Sequence, residues 1–179
     1  MTATAEEVLT IPGYDALMRP FVNEDRDAFV DMRLGTPGYN FASLGNDRDA
    51  RTAALHKAFQ ALCSDAADRI IYGVWLEDQL AAAVGAATFD GEAAINYMCR
   101  EDQRGKGLTR AAVGTVCQQL FEGRNVHSIA FLISPANVRS QNLASKLGAL
   151  LGSKEGDYDV WRLSPSRLYL CWERRGAHI

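Results

Sequence analysis

The sequence predicts an α/β fold, equally describable as α+β, with a mixed sheet flanked by helices. Three features of the 179-residue chain carry that expectation. Helical spacing comes first, three strand-like segments then follow one another, and two strand-then-helix units come after them. No repeat, low-complexity tract or Pro/Gly/Ser linker divides the chain, so residues 1–179 are expected to form a single domain.

ALMRPF (16–21) reads as a first strand, and Asn23 stands where a cap would open a helix carrying Phe29, Val30 and Met32. LGTPGYNFASLGN (34–46) is loop-like, because glycine, proline and asparagine favour turn conformations. Leu55, Ala58, Phe59 and Leu62 recur at helical spacing, giving a second helix from about Asp47 to Cys63. RIIYGVWLE (69–77) and LAAAVGAATF (80–89) read as a hairpin turning around Asp78 and Gln79, and EAAINYMC (92–99) is a third strand. From Leu108 to Phe121 apolar residues repeat at helical spacing, closing at Gly123. HSIAFLIS (127–134) is a strand, and Asn137 to Leu147 a helix ended by Gly148. Strands near ALLGS and DYDVWRLS and a final helical turn complete the expected order.

Composition narrows the function. The chain is 47% hydrophobic and 23% charged, the mixture of a soluble globular protein large enough to bury a core. A net charge of −3 argues against a nucleic-acid partner, since such domains are usually basic. Cys63, Cys99, Cys117 and Cys171 form no CxxC pair, so no metal site and a reducing compartment are expected. MTATAEEVLT has acids where a signal peptide needs cations, and LAAAVGAATF falls short of the roughly 20 residues that span a bilayer. The expected setting is cytoplasmic, without a membrane partner. His56, His127 and His178 form no cluster and receive no catalytic role.

YMCREDQRGKGLTRAAV (97–113) carries the chemistry. A strand runs into Gly105, Lys106 and Gly107, and a helix starts directly after. A helix start presents unpaired N–H donors and the positive end of its dipole, which together favour phosphate. Glycines allow close approach, and Arg104 and Lys106 add positive charge. The loop is neither GxxxxGK[ST] nor GxGxxG, and on its own it is equally a plain strand-to-helix turn. A second segment, SPANVRSQNLASKLGAL, begins a helix in which Asn137 is the candidate cap.

Together these segments resemble the GNAT acetyltransferase superfamily. RGKGLT (104–109) after INYMC is similar to the loop that holds the acetyl-CoA pyrophosphate. PAN (135–137), Ser140 and KLG (146–148) resemble its second motif, in the form typical of ribosomal-protein N-terminal acetyltransferases. LMRPFVNEDRDAF is also similar to the start of that subgroup. The resemblance implies a GNAT-like mixed, mostly antiparallel sheet, acetyl-CoA as co-substrate and no metal. It assigns the main chain of Met98 and Cys99 to the pantetheine arm. Arg104, Gly105, Lys106, Gly107, Leu108 and Thr109 fall to the pyrophosphate, although the family usually has Gly or Ala where Thr109 stands. Asn137 falls to the pantetheine as well as to its cap.

Many members protonate the departing thiolate with a Tyr, but the matching position here is Ala144; the resemblance instead makes Ser140, which matches the serine of the N-terminal-acetyltransferase subgroup, the candidate acid. The subgroup's Glu on the preceding strand is replaced by Ala94, and Glu92, on the same face by strand alternation, is the candidate base. Each has a plain alternative: Ser140 as a helix-surface serine, Glu92 as a solvated hairpin-end carboxylate. The expected acceptor is a primary amine, on a protein or peptide N-terminus or a small metabolite. Its side of the site is expected from the 34–46 loop and the late hairpin, with Tyr39, Phe41, Tyr158 and Trp161 as the available aromatics. A non-catalytic acyl-CoA-binding domain and an unrelated phosphate-binding domain are the competing readings. Whether the chain forms a homodimer stays open.

Overall fold

A tight turn joins the first two strands. In the computed structural model, which describes residues 8–36, 47–63 and 68–176, strand β1 (Leu9–Thr10) and strand β2 (Leu17–Pro20) pair antiparallel. Between them Gly13 adopts φ +79° after Pro12, and the Tyr14 N–H donates to the Ile11 carbonyl at 3.1 Å. Proline then positive-φ glycine is the signature of a type II turn. The short β1 was not expected from the sequence; two residues are too few to show periodicity.

Among the described residues one eight-stranded sheet runs in the order β1, β2, β3 (Arg69–Leu76), β4 (Gln79–Phe89), β5 (Glu92–Cys99), β6 (Ser128–Ile133), β8 (Tyr158–Leu163), β7 (Leu150–Glu155). By their internal contacts, residues 1–84 with 97–109 form one compact unit, and 85–96 with 110–179 another.

In the first unit, β2 pairs antiparallel with β3 (Arg69–Leu76), whose partner is β4 (Gln79–Phe89). The hairpin turn falls on Glu77, at φ +52°, and Asp78, one residue earlier than expected. Helix α1 (Arg26–Leu34) follows a 3-10 turn over Asn23–Asp25. Asn23 does not cap it. Asp25, 6% exposed, instead takes both Arg19 guanidinium nitrogens at 2.6 and 2.8 Å and the Val22 N–H at 2.8 Å. A carboxylate forms a bidentate pair with arginine that an amide cannot. Helix α2 (Arg48–Leu62), expected from about Asp47 to Cys63, is capped by Asp47, whose side chain accepts from the N–H groups of Asp49 and Ala50. The two helices close over Phe21, Phe29 and Phe59, whose rings lie 5.3–5.7 Å apart, and over Trp75 and Leu80. Met98, from the end of β5 (Glu92–Cys99), packs against this cluster. Tyr39, Phe41 and His178 lie outside the described residues.

In the second unit, Asp90 and Gly91, at φ +47° and +76°, turn β4 into β5. Two positive φ values make a type I′ turn, which matches the twist of a hairpin. β5 pairs parallel with β6 (Ser128–Ile133), β6 antiparallel with β8 (Tyr158–Leu163), and β8 with β7 (Leu150–Glu155). Helix α3 (Leu108–Gly123) connects β5 to β6 and buries Val113, Val116, Cys117 and Leu120 completely. Helix α4 (Val138–Leu147) ends at Gly148, φ +100°, the left-handed stop expected there. The expected final turn is instead a full helix, α5 (Pro165–Gly176). Leu168, Cys171 and Trp172 recur at helical spacing, which gives the helix an apolar face. Tertiary contacts fix it: Leu168 is 1% exposed, and the Arg167 Nε donates to the Gly148 carbonyl at 2.6 Å.

Candidate functional site

The strand-to-helix junction has the backbone that the sequence required. β5 ends at Cys99, a 3-10 turn covers Glu101–Gln103, and Arg104 is extended. Gly105 and Gly107 then take φ +77° and +85°, immediately before Leu108 opens α3. A side chain at either glycine would sit in the left-handed region at a cost of roughly 1–2 kcal/mol. No heavy atom lies within 4 Å of the point where a Cβ on Gly105 would stand. Leu108 is 2% exposed and anchors the first turn, whose leading N–H groups have no intrahelical acceptor.

Side chains around the loop hold one another. Arg104 lies 3.7 Å from Glu101, Lys106 Nζ donates to Gln103 at 3.1 Å, and Arg100 pairs with Asp102 at 2.6 Å. That last guanidinium holds the exposed Asp102 carboxyl below its ordinary range. Cys99 is half-buried, and its thiol donates to the Arg100 carbonyl at 3.3 Å. Burial pushes that thiol up, while a hydrogen bond from Thr109 pulls weakly the other way. Sequence reasoning missed one contact. The Tyr14 hydroxyl donates to the Lys106 carbonyl at 2.8 Å across 92 positions of chain. Pro12–Gly13 marks a turn, but nothing local says what the turn touches.

The second motif lies in the other unit. Asn137 is the cap of α4: its side-chain oxygen accepts from the Ser140 N–H at 3.2 Å, and its own N–H donates to Ser134 at 2.8 Å. Ser140 thus stands in the first turn of α4, where its backbone is held by the cap. Ala144 is fully buried, so a tyrosine there would need a different packing of α4. Glu92, the first residue of β5, has both carboxylate oxygens 3.3 Å from Arg162 Nη1, which also reaches Ser128 at 3.5 Å. This is an ion pair between two partly exposed groups, 34% and 49% accessible. Its partner comes from β8, 70 positions later, which no local pattern could reveal. The ladder between β5 and β6 pairs Glu92, Ala93 and Ala94 with Ser128, Ile129 and Ala130, whereas β5 continues to Cys99.

Of the aromatics expected near the acceptor, Tyr158 is 49% exposed, and Trp161 has a buried indole N–H without a partner among the described residues. In the first unit, Asp31, Leu34, Gly35, Arg48 and Arg51 line a cleft of about 390 Å³. Among the described residues no group of three acids, histidines or cysteines could hold a metal, and no helix is long and apolar enough to cross a membrane.

A family model described as an acetyltransferase (GNAT) domain matches residues 16–150. The chain belongs to the GNAT acetyltransferase family. It is thereby an acetyl-CoA-dependent acetyltransferase by class, and its mixed, mostly antiparallel sheet flanked by helices is the GNAT fold. Among curated proteins none matches. Among solved structures, a Mycobacterium smegmatis RimJ in complex with CoA-disulfide is similar at 14% identity and TM-score 0.71, over 95% of this chain and 93% of that one. RimL, a ribosomal L7/L12 α-N-protein acetyltransferase in complex with CoA, is similar at 11% identity and TM-score 0.71, over 88% and 98%. A ribosomal-protein-S5-alanine acetyltransferase from Vibrio fischeri is similar at 14% and 0.65, over 89% and 97%. At these identities the likeness is one of fold.

Proposed function

We propose that this acetyltransferase moves an acetyl group from acetyl-CoA to a weakly basic primary amine, foremost the N-terminus of a protein or peptide. A small metabolite bearing such an amine is the other acceptor of the same chemistry. The observation that carries the reading is the pair of left-handed glycines, Gly105 and Gly107, opening α3. Free N–H groups and a helix dipole at one point suit a diphosphate. In this reading residues Arg104 to Thr109 hold the pyrophosphate, the main chain of Met98 and Cys99 serves the pantetheine arm, and Asn137 adds a polar contact to its capping role. Similarity in fold to ribosomal-protein acetyltransferases supports a protein acceptor. The same reading has residues 1–179 acting as one cytoplasmic domain, since β4 and β5 each contribute residues to both compact units.

The amine nitrogen attacks the thioester carbonyl carbon, the C–S bond breaks, and the nitrogen loses a proton while the thiolate gains one. Ser140 is the proposed donor of that last proton. The demand on it is small, because a free thiol has a pKa near ~8.5. Glu92 is the carboxylate offered as base, but its oxygens are already engaged by Arg162. A missing strong base bears on the acceptor. An α-amine titrates near ~8 and a lysine near ~10.4, so neutralising lysine costs roughly 3.3 kcal/mol more. A well-placed base is worth about 10²–10⁴ in rate and would cover that difference. Without it, the α-amine is the easier substrate.

The test is thiol release from acetyl-CoA with two matched peptides at neutral pH. One has a free N-terminus and no lysine; the other has a blocked N-terminus and one lysine. Turnover confined to the first supports the reading. Equal rates remove the preference, and tight acetyl-CoA binding without turnover on any amine leaves only an acyl-CoA-binding domain.

A further inference from the structure

We propose that Tyr14 is a positioning residue for the cofactor loop, its hydroxyl setting the plane of the Lys106–Gly107 peptide and so the direction of the Gly107 N–H. The inference deepens the reading of residues 104–109 as a diphosphate site and rests on it. The loop needs an outside support. Gly105 and Gly107 lie on either side of Lys106, and glycine is the residue with the most backbone freedom to lose. Gly105 has no neighbouring atom near its missing Cβ, so side-chain packing does not restrain it from that side.

The hydrogen bond from Tyr14 supplies a restraint at one atom, the Lys106 carbonyl oxygen, at 2.8 Å. A trans peptide is planar, and its C=O and N–H point in opposite directions. Holding the Lys106 oxygen against Tyr14 therefore aims the Gly107 N–H away from Tyr14. That N–H immediately precedes the leading donors of α3, so the arrangement adds one held donor beside those of the first turn.

The support is itself fixed. Pro12 restricts its own φ, Gly13 takes φ +79°, and the Tyr14 N–H closes the turn on the Ile11 carbonyl at 3.1 Å. Ile11 is 2% exposed, and the flanking strands pair Leu9 with Met18 and Thr10 with Leu17. The turn IPGY is thus a short brace, rooted at Ile11 and ending in a phenol. Tyr14 and the loop belong to the same compact unit.

Tyr14→Phe removes one oxygen and keeps the ring. The test measures kcat/KM with acetyl-CoA and with S-acetylpantetheine, which lacks the diphosphate, at subsaturating donor. A hydrogen bond of ordinary net strength corresponds to roughly a 3- to 10-fold change in an equilibrium constant. The expected result is a fall of that size in kcat/KM for acetyl-CoA, carried by KM, with acetylpantetheine and the KM for the amine unaffected. Calorimetry should show the same factor in the Kd for CoA. Equal loss with both donors would make Tyr14 a general support of the fold and overturn the proposal. Unchanged values with both donors would overturn it too. A wild-type protein that binds no CoA would overturn the loop reading itself, whereas wild-type binding with an unaltered variant overturns only the role of Tyr14.

Discussion

Replacing Gly105 by alanine separates backbone geometry from crowding at the loop. The residue holds φ +77°, and a Cβ there would meet nothing within 4 Å. The substitution therefore costs only the torsion, roughly 1–2 kcal/mol for an L-residue in the left-handed region. That cost must emerge in one of two places. If the loop keeps its conformation, the protein loses stability, and for a chain of this length 1 kcal/mol corresponds to about 2–4 °C in Tm. If the loop relaxes to negative φ, stability is kept, but the donors turn away and CoA affinity falls. The same 1–2 kcal/mol then reads as a roughly 5- to 30-fold rise in Kd. Differential scanning fluorimetry and calorimetry on one sample account for both. A variant with unchanged Tm and unchanged Kd would refute the claim that this glycine is required by its backbone angle.

Other expectations follow from the same geometry. Gly148→Ala should destabilise more than Gly105→Ala, because φ is +100° and the new Cβ would stand 2.7 Å from the Arg167 carbonyl oxygen; a smaller drop in Tm than for Gly105→Ala would contradict this. Glu92→Gln should lower kcat less than tenfold and cost at most about 1 kcal/mol, as exposed ion pairs do. A loss of 10²-fold or more would restore Glu92 as the base. Ser140→Ala should lower kcat by about tenfold or more with the KM for acetyl-CoA kept, and an unchanged kcat would leave the serine a surface residue. Burial raises the thiols of Cys63, Cys99 and Cys117, so thiolate is scarce at neutral pH and forms only as pH climbs through the raised value. Alkylation of these three thiols in the folded protein at pH 7 should be slower than that of free cysteine, with Cys117, fully buried, the slowest of the three by mass spectrometry.

The central elements were legible because their signals are local. Asp47 and Asn137 cap α2 and α4 as their residue types suggest, and Gly148 ends α4 with a left-handed turn. The loop at Gly105–Gly107 was legible for the same reason: glycine beside a helix start has a meaning that depends on few neighbours. Misplacements arose where distant residues decide. Asn23 caps no helix, and the chain there is organised by Asp25, whose carboxylate holds Arg19 of the preceding strand and the Val22 N–H. α5 is held by Leu168 packing and by the bond from Arg167 to Gly148, a residue 19 positions earlier. The site divides in the same way. The glycines and Thr109 belong to one short motif, whereas the Tyr14 contact and the Arg162 partner of Glu92 come from 92 and 70 positions away.

The most direct test of the account is isothermal titration of the protein with CoA, set beside a titration with pantetheine alone. A loop that grips diphosphate predicts saturable 1:1 heat with CoA and binding weaker by at least tenfold once the diphosphate is removed. Equal affinity for the two ligands, or no heat from CoA at millimolar concentration, would contradict it.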